Sequence, residues 1–98
     1  MEHAVGPILR MCDELELVVE AIREDNPDRA VEVVDSGAYV RVQAPGFLRV
    51  RLETLRRNLG SSFEMRQLES MLSAFAGLIH TTSDEITWSL TVDPARES

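Results

Sequence analysis

Apolar residues in the first quarter of the chain recur with the period of a helix. After Asp13 they occupy positions i, i+3, i+4 and i+7, which is the one-sided pattern of an amphipathic helix. These residues are Leu15, Val18, Val19 and Ile22. Asp13 and Glu16 have the spacing of an N-terminal capping box. Asn26-Pro27 ends the predicted helix, because a residue that precedes proline avoids the α region.

Short apolar stretches before and after this helix predict strands. Residues 5–11 are the first candidate, in which Pro7 belongs at the strand start or on a sheet edge because proline cannot donate to a ladder. Residues 31–35, 39–44 and 47–50 are the next three. The first two of these make a β-hairpin around Ser36-Gly37-Ala38, and Pro45-Gly46 is the centre of a type II turn.

Two short helices and a terminal hairpin complete the prediction. Residues 52–59 form the second helix, with Gly60 placed to end it. Residues 61–64 have the pattern S-x-x-E, a capping box for a third helix whose apolar side holds Leu68, Met71 and Leu72. Residues 73–77 are predicted as a small-residue loop around Phe75. Residues 78–81 and 85–92 are predicted as paired strands, followed by a polar tail at 94–98.

The resulting order is strand, helix, three strands, two helices and two strands. Strands and helices are mixed without a strict β-α-β alternation, so the predicted class is α+β. A chain of 98 residues is one compact domain, which we expect to be ordered from about residue 5 to about residue 92.

The charge balance narrows the classes of partner. Seventeen acidic and ten basic residues give a net charge of −7. This balance argues against nucleic acid, whose phosphates require a basic surface, and against anionic membranes. A basic patch on a partner protein would attract such a chain. The single cysteine, Cys12, excludes an internal disulfide and fits a reducing cytoplasm, and no segment has the layout of a signal peptide or a membrane span.

Candidate catalytic and metal-binding residues are few and scattered. His3 and His80 lie far apart, and neither has a His or Cys at ligand spacing. The acidic helix lacks the Glu-x-x-His pairs of a di-iron bundle, and Cys12 is followed by two acids that disfavour its thiolate. Phe63 and Trp88 are expected in the core. The residues therefore favour a binding module without metal or cofactor over an enzyme.

Seven short segments, taken together, resemble one known family. They are Val5-Gly6-Pro7-Ile8-Leu9-Arg10, Glu24-Asp25-Asn26-Pro27, Ala38-Tyr39-Val40-Arg41-Val42, residues 55–60 followed by Phe63, Gln67-Leu68-Glu69, Ser73-Ala74-Phe75-Ala76-Gly77 and Asp84-Glu85-Ile86. In this order, over residues 5–91, the chain resembles the effector proteins of toluene, phenol and alkene monooxygenases, with most likeness to the toluene branch. These effectors are related to the regulatory protein of soluble methane monooxygenase.

The resemblance implies a protein that carries no cofactor and catalyses nothing alone. Family members bind the di-iron hydroxylase near its active-site access route. There they tune substrate access, oxygen activation and the coupling of NADH use to hydroxylation, in cooperation with a ferredoxin and a reductase.

We expect the residues that contact the hydroxylase to lie in predicted turns, where scaffolds carry function. They match the family segments and fall outside the predicted core: Asn26, Gly37, Tyr39, Ser73, Phe75, Ala76 and Gly77. Structural alternatives stay open. Asn26 can serve only to cap the turn before Pro27, Gly37 only to permit positive φ, and Phe75 only to fill the core.

Two other functions also stay open on the sequence. One is an α+β regulatory module that binds a small ligand. The other is a small acid–base enzyme that uses Asp, Glu or His80, which requires a pocket with a perturbed carboxylate.

Overall fold

A computed structural model describes residues 4–90 of the protein, and this range contains seven strands and three helices. In chain order they are β1 (Ala4–Arg10), α1 (Leu15–Asp25), β2 (Glu32–Asp35), β3 (Tyr39–Pro45), β4 (Phe47–Arg51), α2 (Leu52–Leu59), α3 (Met65–Met71), β5 (Leu72–Ala76), β6 (Leu78–Thr81) and β7 (Glu85–Ser89). The α+β class is confirmed. His3, the predicted strand end at 91–92 and the predicted tail at 94–98 lie outside the described residues.

The strands form two antiparallel sheets. One has the order β2-β3-β1-β5 and the other has the order β4-β7-β6. The β2–β3 and β6–β7 pairs are the two predicted hairpins. The chain passes from the first sheet to the second twice, once at Gly46 and once at Gly77.

One hydrophobic core joins the two sheets and the helices. α1 contributes its predicted apolar face, with Leu15, Val18 and Ile22 buried. Trp88 and Phe63 are buried in the same cluster, as predicted. Glu16, Glu20 and Glu24 of α1 are exposed, so burial of one helical face explains the amphipathic pattern.

The main error of the sequence prediction concerns residues 73–77, which are not a loop. Residues 72–76 form β5, which pairs with β1 so that Ala74 lies opposite Ile8 and Phe75 opposite Pro7. Leu72, predicted on the third helix, begins this strand. An edge strand with three consecutive exposed side chains shows no alternation of period two, and small residues favour strands weakly. Pairing with β1 overrides these local signals.

β1 is a central strand, so the prediction that Pro7 lies at a strand start or a sheet edge is wrong. β1 pairs with β3 on one side and with β5 on the other. Its ladder with β3 joins Val5 to Ala44 and resumes only at Ile8. The gap at Pro7 removes the need for a donor there, which lets the sheet tolerate a proline.

Both predicted capping boxes are also wrong. α1 begins after Glu14, whose side chain makes no capping bond, so the Asp13–Glu16 box does not form. α3 has a capping box one turn later than predicted, formed by Glu64 and Gln67. The Gln67 side-chain oxygen accepts the Glu64 backbone N–H at 2.8 Å. An amide at the third helical position thus performs the role that the sequence pattern gave to a glutamate.

Candidate functional site

Asn26, a predicted contact residue, lies in the interior at the C-terminal end of α1. Its side chain is 5% exposed. The amide Nδ2 donates to the carbonyl oxygens of Ile22 and Arg49, each at 2.6 Å, and Oδ1 accepts the Arg49 N–H at 3.1 Å. The side chain thus bonds both main-chain groups of one β4 residue, as a neighbouring strand would, and attaches α1 to β4.

Asp25 attaches α1 to a second residue of β4, Arg51. Its carboxylate accepts the Arg51 N–H at 2.7 Å and the hydroxyl of buried Thr54 at 2.7 Å. The name anchor is used below for the five residues that make these bonds: Asp25, Asn26, Arg49, Arg51 and Thr54. Sequence reasoning missed Asp25 and Thr54. An acidic residue at a helix C-terminus opposes the helix dipole, and that misfit is a signal that its carboxylate has partners elsewhere.

Glu24 forms an exposed ion pair beside the anchor. Its carboxylate accepts a hydrogen bond from Arg57 of α2 at 2.5 Å. This bond, with a smaller contribution from Asn58, holds the pKa of Glu24 below its ordinary range. The acidic end of α1 therefore binds α2 and β4 through three successive residues.

Gly37 and Tyr39 lie together at the tip of the β2–β3 hairpin. Gly37 has a φ of +92° and donates its N–H to the Asp35 carboxylate at 2.8 Å. Tyr39 pairs with Arg10 of β1, and its side chain is 44% exposed. The main-chain N–H of Met11 bonds the Ala38 carbonyl at 2.9 Å, which fixes the hairpin to the end of β1.

Tyr39 belongs to the outer face of the four-stranded sheet, the side that points away from the core. Strand register aligns one row of residues across all four strands on this face. The row consists of Val34, Arg41, Ile8 and Ala74, and Tyr39 and Arg10 lie beside it. These six residues are called the outer face below; five are exposed and Ile8 is half-buried.

Phe75 and Gly77 lie at the other edge of the same sheet. The Phe75 side chain is 44% exposed, so the alternative that it fills the core is wrong. Gly77 has a φ of +94°, and a Cβ there would stand 2.7 Å from both the Ser89 carbonyl oxygen and a Val5 methyl. Gly77 therefore permits the two sheets to approach each other where β5 leads into β6.

The structure separates the seven predicted contact residues into three places. Gly37 and Tyr39 are at the hairpin tip. Residues 73, 75, 76 and 77 are along and just after β5, two strands away in the sheet order. Asn26 is buried in the anchor. Phe75 is opposite Pro7 whereas Tyr39 is opposite Arg10, three residues further along β1, so strand alternation puts the two aromatic rings on opposite faces.

Titratable groups form no recognisable reaction centre in residues 4–90. No three His, Cys, Asp or Glu side chains in this range are grouped so that they could hold a metal ion. Cys12 is half-buried, and burial is the main cause that raises the pKa of its thiol. His80 is exposed on β6. Within the same range, no helix has the length and apolar character needed to cross a membrane.

Known proteins share this sequence pattern. The model of the MmoB/DmpM family matches residues 3–89. The chain is 32% identical over 87 residues to the effector subunit of the alkene monooxygenase system of Xanthobacter autotrophicus (strain ATCC BAA-1158 / Py2), which covers 89% of this chain and 86% of that protein. It is 36% identical over 56 residues to the phenol 2-monooxygenase stimulatory component DmpM of Pseudomonas sp. (strain CF600), covering 57% and 60% respectively.

Solved structures share the fold. A chain from a phenol hydroxylase–regulatory protein complex matches with a TM-score of 0.78 at 26% identity, over 88% of this chain and 97% of that chain. The soluble methane monooxygenase regulatory protein B matches with a TM-score of 0.71 over 94% of this chain and 68% of that chain. At 21% identity the second likeness concerns the fold alone.

Proposed function

Because the chain belongs to the MmoB/DmpM family, we propose that it is the non-catalytic effector of a multicomponent monooxygenase. In this role it binds the di-iron hydroxylase and tunes substrate access, oxygen activation and the coupling of NADH use to hydroxylation. A ferredoxin and a reductase supply the electrons. The proposal includes a cytoplasmic location, which suits a single half-buried thiol.

The match over nearly the whole chain carries this proposal. The alkene monooxygenase effector subunit aligns with 89% of the chain, and the chain from the phenol hydroxylase–regulatory protein complex has the same fold over 88% of it. The curated relatives are named an effector subunit and a stimulatory component. These names agree with the binding module that the residues alone favour.

We assign the contact with the hydroxylase to the outer face, the hairpin tip and β5. The predicted residues in these places are Gly37, Tyr39, Ser73, Phe75, Ala76 and Gly77. Tyr39 and Phe75 support the assignment because each exposes 44% of a large aromatic side chain, and buried aromatic anchors dominate the energetics of protein interfaces. Asn26 acts indirectly in this proposal, since its amide bonds other parts of the same chain.

Binding can regulate the hydroxylase only through a difference in affinity. An effector shifts a two-state hydroxylase toward the conformation that it binds better, by as much as the two binding free energies differ. A tenfold shift requires about 1.4 kcal/mol. A largely apolar contact near the access route would also exclude water from the reactive intermediate.

Product formation by the reconstituted system tests the proposal. Hydroxylase, ferredoxin and reductase from the same organism would be titrated with this protein while product and NADH are measured. We expect the rate and the product per NADH to rise and to saturate near one effector per active site.

An unchanged rate, coupling and regioselectivity, together with no measurable binding to the hydroxylase, would refute the effector function. A ligand-dependent rise in the melting temperature of the isolated protein would then favour the small-ligand module instead.

A further inference from the structure

α1 does not close completely over the four-stranded sheet. An open slot of about 420 Å3 remains between α1 and the edge strand β2. Its floor is apolar, formed by Leu15 and Val40, which are buried, and by Val19 and Val33, which are only half-buried. Met11 lies at the slot with 46% of its side chain exposed. A concave slot of this volume with an apolar floor can receive the apolar side chains of a partner segment.

Charged side chains around the slot make it negative overall. Glu16 and Glu20 of α1 and Asp35 of β2 lie along it, and Arg23 is the single basic residue in its lining. All four are exposed. The lining therefore carries a net charge of −2, and an occupant with flanking basic residues would complement it.

The slot is continuous with the proposed docking face. Asp35, which lines the slot, also accepts the N–H of Gly37 at the hairpin tip. Met11 is bonded through its main chain to Ala38 of the same tip. A partner that covers Tyr39 on one side of the hairpin would reach the slot by passing around this tip.

We propose that the slot binds a segment of the hydroxylase in which large apolar side chains are flanked by Arg or Lys. This inference rests on the proposed function, since it gives the hydroxylase a second contact. The slot follows α1 from Leu15 to Arg23, which is about 12 Å along the helix axis. A bound helical segment of roughly two turns would have this length. The apolar side chains enter the slot, and the basic side chains pair with Glu16, Glu20 and Asp35.

A charge-reversed variant with a matched control tests this proposal. The slot variant is Glu16→Arg with Glu20→Arg, and the control is Asp28→Arg with Glu53→Arg. Both pairs are exposed, and each moves the net charge from −7 by +4 to −3. The dissociation constant for the hydroxylase would be measured at low and at physiological salt, beside the wild-type protein.

We expect the slot variant to bind about tenfold more weakly at low salt and to lose most of the salt dependence. The control pair should stay within about twofold of wild type. Val33→Phe, which fills the slot with an apolar ring, should also weaken binding without lowering the melting temperature.

Equal weakening by both charge pairs would assign the effect to net charge and overturn the slot proposal. Wild-type affinity in the slot pair and in folded Val33→Phe would overturn it too, while the effector function stands. No binding by the wild-type protein would defeat the effector function, and the slot proposal with it.

Discussion

The anchor and the outer face use side chains in opposite ways. In the anchor, polar side chains are withdrawn from solvent and bond main-chain groups of the same molecule, as Asn26 does with Arg49. On the outer face and on β5, large apolar side chains such as Tyr39 and Phe75 remain exposed. The polarity of a side chain therefore predicts its exposure wrongly in both regions. The polar residues bond the chain to itself, whereas the exposed apolar residues belong to the proposed contact with the hydroxylase.

Removal of the Asn26 side chain gives the largest expected effect and tests the first half of this comparison. Asn26→Ala leaves the main-chain groups of Arg49 without partners in a partly buried site. We expect a loss of about 3 kcal/mol in the free energy of unfolding, measured by urea denaturation. Asn58→Ala is the matched amide control, because the Asn58 amide donates to the Thr54 carbonyl oxygen and also lies beside the exposed Glu24 carboxylate, outside the anchor. It should cost about 1 kcal/mol.

Hydroxylase affinity decides what the Asn26 result means. If the anchor is structural, folded Asn26→Ala binds the hydroxylase with nearly wild-type affinity. Unchanged stability with lost binding would make Asn26 a contact residue, and the contrast between the two regions would fail.

Gly37 and Gly77 have almost the same φ, so substitutions at these two positions can distinguish the cost of backbone strain from the cost of a steric clash. Gly37 and Gly77 have φ of +92° and +94°, but an added Cβ meets nothing within 4 Å at Gly37 and meets Val5 and Ser89 at 2.7 Å at Gly77. We expect Gly37→Ala to cost about 1 kcal/mol from the backbone alone. Gly77→Ala should cost about 2 kcal/mol more, because the two sheets must also separate.

Thermal and urea unfolding of the two glycine variants would be compared directly. Equal losses would show that Gly77 provides only a turn conformation. A larger loss in the free energy of unfolding at Gly77 would show that this glycine is needed where the two sheets meet. Its stability effect would then give no support for a contact with the hydroxylase.

The sequence predicted the parts of this fold that depend on local patterns. α1 and both hairpins follow from apolar periods and turn residues, and each is present. β5 was missed because its strand character comes from pairing with β1, which lies more than sixty residues earlier in the chain. The partners of Asp25 could not be predicted for the same reason, because Arg51 and Thr54 are distant in sequence and approach Asp25 only after α1 packs on β4.

The sequence was sufficient to nominate the proposed contact residues, but it did not reveal how they are arranged on the surface. Tyr39 and Phe75 were selected for their segments, and both are exposed. Nothing local indicates that a strand separates them or that their rings lie on opposite faces of the sheet. Asn26 was selected by the same reasoning, and its burial depends on a bond to Arg49 that no pattern near Asn26 reveals.

Truncation of the exposed aromatic residues tests the second half of the comparison. Tyr39→Ala and Phe75→Ala should each weaken hydroxylase binding about tenfold, which corresponds to about 1.4 kcal/mol, with little change in stability. Leu17→Ala is a matched control, because Leu17 is also 44% exposed but lies on the solvent side of α1. Its affinity should stay within about twofold of wild type.

Titration calorimetry with the hydroxylase separates the outcomes of these truncations. Wild-type affinity in both aromatic variants would remove Tyr39 and Phe75 from the interface. Loss in Phe75→Ala alone would move the contact from the outer face to the β5 edge.

The smallest expected effect belongs to the exposed Glu24–Arg57 pair, which marks the solvent limit of the anchor. The pair holds the pKa of Glu24 below its ordinary value of 4.5, so its stabilisation is present above that pH and is lost as the pH falls through the folded-state pKa. Arg57→Gln should return the pKa of Glu24 toward 4.5, measured by NMR titration of the side-chain carboxyl. The difference in unfolding free energy from wild type should be small and should shrink in acid, since solvent screens an exposed pair. An unchanged Glu24 pKa in Arg57→Gln would mean that the anchor ends at Asp25, where the carboxylate bonds the main chain and not a mobile side chain.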